Sequence, residues 1–229
     1  MKMPPKIIAF DADDTLFVNE PYFQEMEHRF CQIMSPYLSQ HAISQALFEI
    51  EIKNLSIYGY GIKGYILSMI EAALQISDQT ISVEAVEKII GFGKELLEKP
   101  IELLDGVAET LHILSQKYTL VVATKGDLLD QQNKLQRSGI AHFFHHIEVM
   151  SDKKIADYQK LLNHLDIDAK DFAMVGNSLK SDILPVLELG ATAFYVPFHT
   201  TWAHEKVNYH VEHQNLKTFE KIIEILKIL

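Results

Sequence analysis

The stretch Lys6-Ile7-Ile8-Ala9-Phe10-Asp11-Ala12-Asp13-Asp14-Thr15 decides how the rest of the chain reads. Its first half is a short apolar run, partly β-branched, that stops at a cluster of acids. That pattern predicts a buried parallel strand with both faces covered. The acids Asp11, Asp13 and Asp14 then fall at the carboxyl end of the strand, where open parallel sheets bind their ligands.

Working outward, the character changes from about Pro21 to Glu98, where almost no segment is strand-like. Phe23, Met26, Phe30 and Ile33 recur at three- and four-residue spacing, as on one helix face. Further helices are predicted over residues 44–55, 62–76 and 82–97, with Ser44 and Ser82 as N-caps. The glycines of Tyr58-Gly59-Tyr60-Gly61 mark a turn or hinge between two of them. After Pro100, strands and helices alternate. Strands are predicted at 119–123, 147–150, 172–175 and 193–196, and helices at 107–116, 128–137, 155–165 and 184–189. A last amphipathic helix is predicted over 216–228. Gly139 reads as a helix-ending glycine. Alternation of this kind implies an α/β fold with a doubly wound, Rossmann-like parallel sheet. The helical stretch is an insertion after the first strand. The expected division is a core of residues 1–18 and 99–229 and an all-α domain of residues 19–98.

The residues that follow each predicted strand converge on one chemistry. Asp11, Asp13, Asp14 and Thr15 follow the first, and Thr124-Lys125-Gly126-Asp127 the next. Ser151-Asp152-Lys153-Lys154 and then Gly176-Asn177-Ser178, with Asp182 beyond, follow two more. Carboxylates, a hydroxyl, lysines and an amide at one sheet edge describe an anion site with a hard cation. Crowded carboxylates repel unless a cation sits among them, and Mg2+ prefers oxygen ligands completed by phosphate and water. A carboxylate such as Asp11 can attack a phosphate ester to give an aspartyl-phosphate. Asp13, two residues on, is placed to protonate the leaving alcohol and then activate water. Thr124 and a lysine would hold the phosphate oxygens that are not transferred.

Composition narrows the alternatives. The 229 residues carry a formal charge of −10, with no basic cluster longer than Lys153-Lys154, so nucleic acid is not an expected partner. No run approaches the roughly 20 apolar residues of a membrane span. The N-terminus lacks the long apolar segment of a secretory signal. Cys31 is the single cysteine, so no internal disulfide is expected and a reduced, cytoplasmic setting follows. Eleven histidines invite a zinc reading. Neither His142, His145 and His146 nor His210 and His213 have Cys or acidic partners at a typical zinc spacing, so a surface or half-buried role is expected for them.

With those residues in view, the chain resembles the haloacid dehalogenase-like hydrolases. The likeness rests on four elements in order: D-x-D-x-T at Asp11-Ala12-Asp13-Asp14-Thr15, the threonine Thr124, a lysine, and the late run from Gly176-Asn177 to Asp182. It extends over essentially the whole chain. The resemblance implies Asp11 as nucleophile, Asp13 as general acid/base, Thr124 as phosphate ligand, and a metal site of Asp11, the Asp13 backbone carbonyl, Asn177 and Asp182. It also implies that the helical insert is the family's cap. Lys153, five residues before Tyr158, fits the lysine motif, with Lys154 as the alternative. Asn177 departs from the aspartate common at its position, which puts more of the metal's charge on Asp182. Asp14 is expected to brace the following turn and Thr15 to hold the loop. Lys125 is expected to flank the site, and Trp202, His204 and Glu205 to form a structural loop, with folding back over the active site as the alternative.

The implied activity is magnesium-dependent hydrolysis of a small phosphorylated metabolite, of the sugar phosphate, nucleoside monophosphate or phosphoglycolate type. A phosphomutase shares the aspartyl-phosphate step and is the alternative, with a non-catalytic binding module on the same fold as a third reading. Carbon–halogen hydrolysis is disfavoured because the dehalogenases of this superfamily lack the second aspartate. In the insert, Tyr58, Tyr60 and Tyr65 stand equally as substrate contacts or core residues.

Overall fold

In a computed structural model describing residues 4–229, the chain forms two compact units. The first comprises residues 4–20, 101–125 and 131–229, and the second residues 21–100 and 126–130.

The first unit is built on a six-stranded sheet in the order β3-β2-β1-β4-β5-β6, every pair parallel. The strands are β1 (Ile7–Phe10), β2 (Thr119–Lys125), β3 (His146–Met150), β4 (Phe172–Gly176), β5 (Thr192–Tyr195) and β6 (Leu216–Thr218). β1 lies inside the sheet between β2 and β4, with Ile8 opposite both Leu120 and Ala173. Its four residues are all buried, which is why it reads as a continuous apolar run without alternation. Two cores cover the two faces. Ile8 and Phe10 pack with Leu111, Leu114, Val122 and Val175 on one side. Ile7 and Ala9 pack with Tyr158, Leu161, Met174 and Val186 on the other. Full burial of a Leu, Ile or Phe side chain contributes roughly 1.5–3 kcal/mol, so this double layer holds the loops that follow the strands.

The predicted C-terminal helix is not there. Leu216 to Thr218 pair with β5, and Ile222 to Lys227 form a 3-10 helix. Phe219, Ile222 and Ile225 pack on the first core at three-residue spacing, which suits three residues per turn as well as it suits an α-helix. A three-residue strand is too short to show a period of its own. β2 also runs two residues beyond its predicted end and takes in Thr124 and Lys125.

The second unit contains α1 (Glu20–Met34, from Pro21 on), α2 (Gln40–Tyr58), α3 (Ile62–Ile76) and α4 (Val83–Glu98). Their apolar faces meet in one core that includes Met26, Phe30, Leu47, Met69 and Phe92. Ser82 caps α4 as expected, accepting from the Ala85 amide at 3.2 Å. The cap of α2 is Ser39 rather than Ser44, so the helix starts a turn earlier than its apolar pattern indicates. Gly61 has φ 110, and a side chain there would press on the Asp127 backbone 3.1 Å away. That close approach, with an ion pair of 2.9 Å between Lys63 and Asp127, ties residues 126–130 to the helical unit. No helix among the described residues is long and apolar enough to cross a membrane.

Candidate active site

Asp11 follows β1 directly and is buried. Its Oδ1 accepts a hydrogen bond of 2.5 Å from Lys153 Nζ, in the loop between β3 and α7 (Ile155–His164). Lys153 also donates to Asp182 Oδ1 at 2.7 Å. Lys154 points elsewhere: its side chain is 78% exposed and pairs with Asp152. The lysine brought to Asp11 is therefore Lys153. Tyr158, one turn into α7, is fully buried and donates its hydroxyl to the Ser181 carbonyl at 3.0 Å, which braces the same loop against the Asp182 segment.

Asp182 sits on a π-helical turn, Leu179–Ile183, that leads into α8 (Leu184–Glu188). Such turns are rare and recur at functional sites. The Ser178 amide donates to Asp182 Oδ2 at 2.9 Å, aiming the carboxylate back at the strand end. Gly176 is required at the end of β4 because a Cβ there would fall inside the Asp182 carboxylate. Thr15 Oγ1 lies 3.1 Å from Asp11 Oδ2 and 3.2 Å from Asn177 Oδ1, so one hydroxyl proton is shared between the nucleophile candidate and the amide. Thr124 is buried at the end of β2, its hydroxyl directed to the Lys125 carbonyl at 3.3 Å. Among the described residues, no side-chain hydrogen bond joins Thr124 to the Asp11 cluster.

Asp13 faces a different pair. Lys134 Nζ donates to its Oδ1, and Gln131 Nε2 donates to its Oδ2 at 2.7 Å. Both come from α6 (Leu128–Arg137), three residues apart and hence on one face. Gln131 Oε1 is buried with no hydrogen-bond partner among the described residues. The sequence reading missed Gln131 and Lys134, and the three-residue spacing in a polar helix was the available signal. Asp14, with φ 60, accepts from the amides of Asn19 and Glu20 and so braces the turn, as expected.

A second network joins Glu205 to the Asp182 turn. Glu205 accepts from Lys125 Nζ at 2.6 Å, from Ser178 Oγ at 2.5 Å and from Ser181 Oγ at 2.6 Å. Burial works against its charge, but Lys125 and the two serines outweigh it and hold the carboxyl down at about 2. The 203–205 turn thus has the structural role expected of it, since Glu205 clamps the segment that carries Asp182. Lys125 anchors that clamp rather than merely flanking the site. In the helical unit, Tyr65 is a core residue and Tyr58 donates to Glu71 at 2.7 Å.

The electrostatics call for a cation. Burial pushes the Asp11 carboxyl above the ordinary carboxylate range; Lys153 opposes this, while Asp182 and Asp13 push it further up. Burial also disfavours the charge on Lys153, yet its two carboxylate neighbours outweigh that and keep the ammonium firmly protonated. One ammonium is shared by two buried carboxylates, so the cluster retains an excess negative charge when both are ionised. The oxygens of Asp11, Asp182 and Asn177, with a backbone carbonyl at Asp13, are hard donors of the kind that Mg2+ takes. The donor set therefore fits such an ion.

A family model described as haloacid dehalogenase-like hydrolase matches residues 5–190. The chain belongs to this family. Among solved structures, a haloacid dehalogenase-like hydrolase from Xanthomonas campestris is 35% identical, over 95% of this chain and 87% of that one, with a TM-score of 0.86. The HAD-hydrolase YfnB from Bacillus subtilis, solved bound to magnesium, is 17% identical over 99% of each chain, with a TM-score of 0.65. A 2-haloacid dehalogenase from Pseudomonas syringae is 19% identical over 97% of each chain, also with a TM-score of 0.65. These last two likenesses concern the fold. No match was found among curated proteins. Membership in the haloacid dehalogenase-like hydrolases makes the protein a hydrolase and accords with the parallel sheet and the acids at its strand ends.

Proposed function

We propose that the protein is a magnesium-dependent phosphatase acting on a small phosphorylated metabolite through an aspartyl-phosphate. The observation that carries this reading is the second aspartate. Asp13 is present two residues after Asp11 and is oriented by Lys134 and Gln131 rather than left to solvent. Displacement of halide needs no acid for a leaving alcohol, whereas cleavage of a phosphate ester does.

In this mechanism an Asp11 carboxylate oxygen attacks phosphorus, and the bond from phosphorus to the ester oxygen breaks. Asp13 passes its proton to that oxygen, and the alcohol departs. Asp13, now a carboxylate, takes a proton from water as the water oxygen attacks phosphorus. The bond from phosphorus to Asp11 breaks, releasing inorganic phosphate and restoring Asp11. Lys153 and Thr124 hold the non-transferring oxygens, and Lys153 keeps Asp11 and Asp182 from repelling each other apart. Asp11, Asp182, Asn177 and the Asp13 carbonyl would hold Mg2+, which when bound offsets the excess negative charge and draws the phosphate in. The helical unit is read as the family's substrate-selecting cap, and a cytoplasmic setting suits a single reduced cysteine.

The test is release of inorganic phosphate from a panel of phosphorylated metabolites, with Mg2+ and with chelator. Mg2+-dependent release from at least one small phosphate ester is expected. Transfer of phosphate between positions on a sugar without release would point to the mutase. Folded protein that releases phosphate from nothing in the panel would overturn the reading.

A further inference from the structure

We propose that His146, Glu148 and His164 form a second metal site, built for a divalent transition metal of the zinc class. His146 and Glu148 are two apart on β3 and so project from one face of the strand. His164 ends α7, the helix that returns from the Lys153 loop. His146 Nε2 lies 2.7 Å from Glu148 Oε2, and His164 Nδ1 lies 3.4 Å from the same oxygen. The two imidazole rings meet edge to face, with centroids 4.8 Å apart. One ligand atom from each residue falls within 4.8 Å of the others. Ligands at the roughly 2.0–2.2 Å of a tetrahedral zinc stand about 3.3 Å apart, so small side-chain rotations close the set.

The donor chemistry separates this cluster from the Asp11 site. Two imidazole nitrogens and one carboxylate suit Zn2+ and its neighbours rather than Mg2+, which takes oxygen. His146 and Glu148 are only about 30% exposed and His164 is 62% exposed, which leaves a side open for water as a fourth ligand. Binding requires a free lone pair on each ligating imidazole nitrogen, so the His146–Glu148 hydrogen bond gives way when the metal enters. In the sequence His146 stands beside His142 and His145, with no Cys or acidic partner at a typical zinc spacing. β3 sets Glu148 on the same face as His146, and the fold adds His164 from the end of α7.

Position suggests a purpose. β3 runs toward the Lys153 loop and α7 runs back from it, so His146 at the start of β3 meets His164 at the end of α7. An ion there clasps the end of the β3–α7 unit remote from Lys153 and restrains the elements that carry that lysine.

The experiment is a zinc titration of the full chain in saturating Mg2+, read by competition with a chromophoric chelator and by melting temperature. One zinc equivalent that Mg2+ does not displace, with a raised melting temperature, is expected for the wild-type protein. Residues that only hydrogen-bond to a zinc ligand already account for about 10–100-fold in affinity. Loss of a ligand in H146A, H164A or E148Q should therefore weaken binding by at least about 100-fold and abolish the rise in melting temperature. Melting without zinc and the far-ultraviolet spectrum should stay as in the wild type. Equal zinc stoichiometry and affinity in all four proteins would overturn the proposal. So would loss of the tight equivalent in D11N with its retention in H164A.

Discussion

Asp182 Oδ1 accepts a 2.7 Å hydrogen bond from Lys153 Nζ, between two side chains that are each 1% exposed. The same ammonium reaches Asp11 at 2.5 Å. A lysine held between two buried carboxylates links the loops that follow β1, β3 and β4, and the geometry of the site depends on it.

Replacing Lys153 by Met should therefore cost more than a surface ion pair would. Removing one partner of a buried pair leaves an uncompensated charge and destabilises by about 3–5 kcal/mol. Here two carboxylates are left facing each other. Chemical denaturation should show that loss in chelator and partial recovery in millimolar Mg2+, because a cation that binds only the folded state stabilises it. Unchanged stability would contradict the bridging role.

Asp11→Asn should abolish turnover without unfolding the protein, since the exchange of oxygen for nitrogen removes the proposed nucleophile at nearly constant volume. Asp13→Asn should lower turnover by about 10²–10⁴. The loss should be greatest for alkyl phosphates and smallest for aryl phosphates, whose leaving groups need little protonation. Equal losses on both classes would remove Asp13 from the acid role. Lys134→Met should give a milder version of the same leaving-group dependence.

Gly176→Ala should act on the proposed metal requirement. Its added methyl would occupy the space of the Asp182 carboxylate, which must then move. The Mg2+ concentration for half-maximal activity should rise, with the Asp11–Lys153 contact left in place. A variant with wild-type Mg2+ dependence would show that Asp182 is not a ligand.

Glu205 offers a test in pH. Its carboxyl sits at about 2 in the folded protein against an ordinary value near 4.5. A depressed carboxyl contributes stability that is present in full above the unfolded value and is lost as pH falls through the folded one. The stability gap between wild type and Glu205→Gln should therefore be widest above pH 4.5 and shrink toward pH 2. Urea denaturation across that window measures it, and a gap independent of pH would remove the Lys125 and serine contacts as its source.

The strand-end residues were legible because each is local to its strand. A short apolar run followed by polar residues gives both the sheet and the edge at which Asp11, Thr124 and Asn177 gather. The C-terminal segment misled because three-residue spacing of Phe219, Ile222 and Ile225 fits two kinds of helix, and because β6 has only three residues. Its pairing with β5 is decided by an open sheet edge, which leaves no mark within the segment itself.

What the sequence determined by itself was the α/β class, the helical insertion after β1, and the order in which carboxylates, hydroxyl, lysine and amide arrive at one edge. These depend on apolar periodicity over a few residues. Only the tertiary structure decided that Lys153 rather than Lys154 turns inward, that Lys134 reaches Asp13 from 121 residues away, and that Glu205 clamps the Asp182 turn. Charged side chains enter the interior only where a partner compensates their desolvation, and those partners come from distant parts of the chain.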